Sequence, residues 1–283
     1  MIASWQTRLR EFVYRSLLLA TMLVSALYFF QDRLLHYPES VDLQAALATA
    51  RDLQLSPWPD AAQPRGWLRA TPQTTRGTII LFHGNGGHAL HRSWFADVLQ
   101  QHGYRTLLAE YPGYGHRNGS KDELSMTADA AATLDAIRER FAGPLLVAGE
   151  SLGAGVAAAA MANSRYASKV SGVLLITPWD TLVNVASHYY PRVLVRLVLR
   201  DSYDSAVNLS GYPGPKLVMI AEQDSIIPAE LGRRLYAALG PKKELRVLPG
   251  ADHNDWMIGM KAGAWQEILD FLEGAPAQLT LSP

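Results

Sequence analysis

Three side chains in this sequence have the types and local settings that nucleophilic chemistry needs: Ser151, Asp224 and His253. A serine hydroxyl is a poor nucleophile by itself. It becomes useful when a histidine can take its proton and a carboxylate fixes the tautomer of the imidazole and offsets its charge. Ser151 lies in Gly149-Glu150-Ser151-Leu152-Gly153, after the apolar run Leu145-Leu146-Val147-Ala148 and before the small run Val156 to Ala160. That pattern reads as a buried strand, a very tight turn, and a helix packed close to the sheet. A serine at such a turn occupies a strained backbone conformation, which glycine two residues to either side makes room for. Asp224 stands in Ala221-Glu222-Gln223-Asp224-Ser225-Ile226-Ile227-Pro228, and His253 in Gly250-Ala251-Asp252-His253-Asn254-Asp255. Asp180, in Thr177-Pro178-Trp179-Asp180, is a rival for the acid. An oxyanion forming at the serine would need donors. The glycine-rich His83-Gly84-Asn85-Gly86-Gly87 can supply one from the backbone amide of Asn85, and the amide of Leu152 supplies the other.

These residues need a scaffold that gathers them. Strands are expected at Trp67–Ala70, Thr78–Phe82, Arg105–Glu110, Pro144–Ala148, Val170–Thr177, Lys216–Ala221 and Glu244–Leu248. Helices are expected at Ser93–Gln101, Met126–Phe141, Ala229–Leu239 and Ala264–Phe271. The alternation predicts a mostly parallel sheet with helices on both faces, led by one antiparallel strand. Functional groups in such sheets collect at the carboxyl ends of the strands. Ser151, Asp224 and His253 each fall just past a strand, in that order along the chain.

Composition narrows the chemistry. The 283 residues contain no cysteine, which excludes a thiol nucleophile, disulfides and zinc–thiolate sites. A net charge of zero gives no support to nucleic-acid binding. The serine chemistry requires neither a metal nor an organic cofactor.

The N-terminus has a different character. Ser16 to Phe30 carries no charge, and counting back through Arg15 to Phe12 brings the apolar stretch close to the ~20 residues that span a bilayer. Arg8, Arg10 and Arg15 precede it and Tyr28, Phe29 and Phe30 close it. The charge bias keeps the short N-terminus in the cytoplasm and puts the rest across the membrane. Cleavage after Val24-Ser25-Ala26, giving a secreted protein, is the competing expectation. Residues 1–30 are thus assigned to an anchor or signal, 31–63 to a proline-broken connector, 64–275 to a catalytic domain, and 276–283 to a tail. Within the domain, 179–212 is long for a link between strands. Its Leu194, Val195, Leu197, Val198 and Leu199, with Tyr189, Tyr190 and Tyr203, suggest a small helical cap, and these residues could equally admit an acyl chain, be core or touch the membrane.

From His83 to Gly86, Tyr111-Pro112-Gly113-Tyr114-Gly115, the Ser151 turn, Thr177 to Asp180, Asp224 with Pro228, and Gly250 to Asp255, the chain resembles the α/β-hydrolase superfamily. It is most similar to the membrane-anchored, serine-aminopeptidase-like branch that includes esterases. The resemblance spans about Gln63 to Leu272. It departs from the pattern before the acid, where Ala221 or Glu222 replaces a frequent glycine, and in the basic His116-Arg117-Asn118-Gly119-Ser120. The implied activity is cleavage of a carboxylic ester or thioester, on a small-molecule or lipid-like acyl substrate, through an acyl-enzyme. An aminopeptidase or amidase on the same triad is the alternative within enzymes; Glu110, Glu150 and Glu222 could favour a substrate amine, while Arg117 and Lys121 oppose it. A non-catalytic, membrane-anchored binding protein is the alternative outside them.

Overall fold

The strands that form the middle of this molecule are continuous apolar runs because both faces of the sheet are covered. The computed structural model describes residues 5–71, 75–261 and 263–274; residues 1–4 of the expected anchor and the expected tail at 276–283 lie outside them. In chain order the elements begin with α1 (Trp5–Leu35), β1 (Tyr37–Pro38), α2 (Leu43–Asp52), β2 (Ser56–Trp58) and β3 (Gly66–Arg69). There follow β4 (Gly77–Phe82), β5 (Gly86–Gly87), α3 (Ser93–Gln101), β6 (Tyr104–Ala109) and α4 (Glu123–Arg140). Next come β7 (Leu145–Glu150), α5 (Leu152–Asn163), β8 (Gly172–Ile176), α6 (Leu182–Tyr189), α7 (Arg192–Val198) and α8 (Ser205–Leu209). The chain closes with β9 (Lys216–Ala221), α9 (Ala229–Ala238), β10 (Lys243–Leu248) and α10 (Ala264–Leu272).

Eight strands form one sheet in the order β10-β9-β8-β7-β4-β6-β3-β2. Every pairing from β10 to β6 is parallel, and β3 and β2 continue the edge antiparallel. Period-two alternation divides β4 between two cores. Ile80 and Phe82 face the layer of α4, α5 and α9 with Met126, Leu134, Val156 and Leu235. Ile79 and Leu81 face the layer of α2, α3 and α10 with Ala46, Phe95, Leu99 and Ile268. Helix α5 has no polar face and is buried from Leu152 through Met161, as an all-apolar helix must be.

Element limits moved where caps and pairing override composition. Helix α4 starts at Glu123, ahead of the expected Met126, because the Asp122 carboxylate accepts from the Ser125 amide and caps it. Strand β7 runs on to Glu150 because Glu150 still pairs with Ile176. The 31–63 stretch, expected as a connector, holds the end of α1, β1, α2 and the edge strand β2. Asp42 caps α2 by accepting from Gln44 and Ala45, and β2 pairs with β3 from Ser56 to Trp58.

Helix α1 is long and apolar enough to cross a membrane, and its outward side chains, Phe12, Leu17, Leu18 and Leu19 among them, are exposed. The Thr21 hydroxyl inside the apolar run donates back to the Leu17 carbonyl, so it needs no external partner.

Candidate active site

Ser151 sits in the turn between β7 and α5 with φ 53° and ψ −118°, a conformation that L-residues rarely adopt. The two flanking glycines make the turn possible. A Cβ on Gly149 would lie 2.2 Å from the Gly153 carbonyl oxygen, and one on Gly153 would lie 2.0 Å from that of Phe82. Both clashes are with backbone, so neither can be relieved by moving a side chain. The turn thereby brings the hydroxyl of Ser151 into the open at the carboxyl end of β7.

His253 arrives from the loop after β10. Its Nε2 lies 2.9 Å from Ser151 Oγ and its Nδ1 2.8 Å from Asp224 Oδ2. Asp224 follows β9, and its second oxygen accepts from the amides of Ile226 at 3.0 Å and Ile227 at 2.6 Å, which fixes the carboxylate in place. The histidine and aspartate side chains are both almost fully buried. Asp180 is elsewhere: its oxygens accept from the Thr181 amide and the Asn184 side chain at the start of α6. The structure thus brings together the three expected residues and leaves the rival acid outside the line.

The loops carrying the acid and the histidine are tied to each other. Asp252 accepts from the Ser225 and His253 amides and from the Ser225 hydroxyl. Those amides and that hydroxyl hold its carboxyl below the usual range. Gln223 and Glu222 donate their amides to the carbonyls of Ala251 and Leu248.

The two expected oxyanion donors both lie at the cavity that holds Ser151. Leu152 opens α5, where first-turn amides have no intrahelical acceptor. Asn85 follows β4 and lines the same cavity as Ser151 and Leu152. Its side chain is held from three directions: Nδ2 donates to the Leu35 carbonyl, while Oδ1 accepts from the Tyr114 hydroxyl and the Tyr37 amide. Beneath it, buried His83 bonds the Glu110 carboxylate, and the Tyr111 hydroxyl donates to the His83 carbonyl. Burial pushes the Tyr111 phenol far above its ordinary value, so it stays a neutral donor.

Several neighbours had no signal in the sequence. Glu150, expected at a rim, is buried and forms a two-pronged ion pair with Arg92, at 2.5 and 3.0 Å. Arg117 does not point a free charge at the site; it pairs with Asp129, which also binds Arg65. The cavity over Ser151, ≈ 530 Å³, takes walls from the cap (Trp179, Leu182, Tyr189) and from the end of α1 and its sequel (Leu34, Leu35, His36). No motif could have announced that last wall, because Leu35 and Asn85 are 50 residues apart.

Away from this cavity, ligand atoms of Glu39, His88 and His91 lie within 4.8 Å of one another, a cluster of metal-ligating types among the described residues. None of the three lines the cavity that holds Ser151.

Comparison with known proteins agrees with this architecture. The serine aminopeptidase S33 family model matches residues 73–200. An uncharacterized protein of Mycobacterium tuberculosis is 31% identical over 247 residues, 84% of this chain and 85% of that one. The lysophosphatidylserine lipase ABHD12 of Danio rerio is 29% identical over 206 residues, 66% of this chain and 54% of the relative. Among solved structures, an esterase of Pyrococcus furiosus superposes with TM-score 0.63 at 16% identity, covering 85% of this chain and 98% of that one, a likeness of fold.

Proposed function

The chain belongs to the α/β-hydrolase superfamily and is a hydrolase, and from that premise we propose that it cleaves carboxylic esters or thioesters of a lipid-like acyl group through an acyl-enzyme. The observation that carries this reading is the unbroken line Asp224 Oδ2–His253 Nδ1 and His253 Nε2–Ser151 Oγ, at 2.8 and 2.9 Å. Ser151 Oγ attacks the acyl carbon as its proton passes to His253 Nε2. The tetrahedral oxygen anion is met by the amides of Leu152 and Asn85. The intermediate collapses, the bond to the leaving oxygen or sulfur breaks, and His253 returns the proton to that atom. Water then attacks the acyl-serine by the same route, giving the acid and free Ser151. Asp224 accepts from Nδ1 and so holds the imidazole in the tautomer that can accept at Nε2.

Amide cleavage at a free amino terminus fits less well. It would call for an unengaged acid near the cavity, and the three candidates are committed: Glu150 to Arg92, Glu110 to His83 and the Ala89 amide, and Glu222 to the Gly250 amide. A lipid-like substrate is supported by the apolar cavity walls and by the lipase named among the relatives. For α1 we propose a single membrane span with the catalytic domain on the extracytoplasmic side, from the bias of Arg8, Arg10 and Arg15. Stopped-flow hydrolysis of p-nitrophenyl butanoate tests the chemistry. A burst of nitrophenol matching the enzyme concentration is expected, with turnover falling roughly 10⁶-fold in Ser151→Ala; turnover surviving that change would refute the reading.

A further inference from the structure

A second apolar recess adjoins the catalytic cavity, and it lies between α1 and α7. Its volume is ≈ 180 Å³. Leu34, Leu35, Ala186 and Tyr190 line both spaces, so the recess borders the cavity over Ser151 directly. Beyond those shared residues the walls are Leu27 on one side and Leu194, Val195, Val198 and Leu199 on the other.

We propose that this groove holds the far part of a long acyl chain whose ester carbonyl lies at Ser151, so that the N-terminal helix is a wall of the substrate site as well as an anchor. The proposal rests on the esterase reading above. Apart from Tyr190, the one polar side chain in the lining is Gln31. Both ends of its amide are already engaged: Nε2 donates to the Tyr28 and Val198 carbonyls, and Oε1 accepts from the Arg200 amide. Gln31 therefore offers an occupant no unmet polar group, and hydrocarbon matches the rest of the walls. The same bonds, with the Arg200–Asp32 ion pair at 2.6 Å, pin α1 to the cap and keep the wall in position. A helix of a partner protein laid along the groove would not explain why four of its ten lining residues also line the catalytic cavity.

The level of the groove on α1 also fits. Its residues Leu27 to Leu35 include and follow the aromatic edge Tyr28, Phe29 and Phe30, which belongs at a membrane surface. Next to it, Val193 and Leu197 of α7 are exposed. A chain lying in the groove would enter from the bilayer side and end under the cap.

The test compares kcat/KM for p-nitrophenyl tetradecanoate and butanoate, using the full chain in detergent micelles at one fixed detergent concentration. Leu194→Trp and Leu27→Trp fill the groove from opposite walls, and Val193→Trp adds the same bulk outside it. Each methylene denied burial costs roughly fourfold, so excluding three should lower the tetradecanoate-to-butanoate ratio about 60-fold in both filled variants. The ratio should stay within about twofold of wild type in Val193→Trp. An unchanged ratio in the filled variants, or an equal loss on both esters, would overturn the groove assignment. Absence of hydrolysis of both esters by the wild type would instead overturn the esterase reading on which it rests.

Discussion

Asp224→Asn tests the acid by changing one atom without changing shape. Asp224 Oδ1 accepts from the amides of Ile226 and Ile227 at 3.0 and 2.6 Å, so the asparagine must keep its carbonyl oxygen there. Its NH2 group then faces His253 Nδ1, where Oδ2 accepted at 2.8 Å. Two donors cannot share that contact, so Nδ1 must become the acceptor and the ring proton must move to Nε2. A protonated Nε2 cannot take the proton of Ser151 Oγ, 2.9 Å away. Loss of the right tautomer, together with loss of the charge that offsets the imidazolium, is worth about 10⁴ in kcat, or roughly 5.4 kcal/mol of barrier. Stability should change by only about 1 kcal/mol, since both backbone bonds to Oδ1 survive. The assay is p-nitrophenyl butanoate turnover beside a thermal melt, with Asp180→Asn as comparison. The Asp180 carboxylate bonds the start of α6 rather than His253, and its change should cost less than about tenfold. Near-normal turnover in Asp224→Asn with a native melt, or a larger loss in Asp180→Asn, would refute the reasoning.

Gly153→Ala should lower stability by about 1–3 kcal/mol or more and reduce turnover, because its Cβ would meet the Phe82 carbonyl oxygen at 2.0 Å and push β4 from α5; a melt and an activity unlike those of wild type check it. Arg92→Leu leaves buried Glu150 without its ion pair and should cost about 3–5 kcal/mol, whereas Arg92→Leu with Glu150→Leu should cost less, as urea unfolding of both would register. Alkaline phosphatase fused after Pro38 should be active in a bacterial host, and an inactive fusion would put the catalytic domain in the cytoplasm. A mature N-terminus at Leu27 would mark Val24-Ser25-Ala26 as a cleavage site while leaving Leu27 to Leu35 against the cap.

The parallel core was legible because strands covered on both faces must be apolar through their middles, as β4, β7, β8 and β9 are apart from Thr78 and the end residues Glu150 and Lys216. The line of Ser151, Asp224 and His253 could be read for a related reason: strand ends in a parallel sheet converge, so position after a strand stands in for position in space. What escaped were contacts between parts of the chain with no shared periodicity. Prolines at 38, 57, 59 and 64 made residues 31–63 look unstructured, yet Pro57 lies in the edge strand β2, a place where the sheet tolerates it. Likewise no local pattern marks Arg92, and only folding brings it to Glu150 across 58 residues. The docking of α1 on the cap through Gln31 spans 167 residues to Val198 and left no local mark.

We propose that Ser151 is a nucleophile activated by His253. Labelling the full chain with a fluorophosphonate, followed by peptide mass spectrometry, tests it most directly. One phosphonylated residue is expected, Ser151, with labelling slowed by several orders of magnitude in His253→Ala although the serine is still present. Labelling at another residue, or at Ser151 with an undiminished rate in His253→Ala, would contradict it.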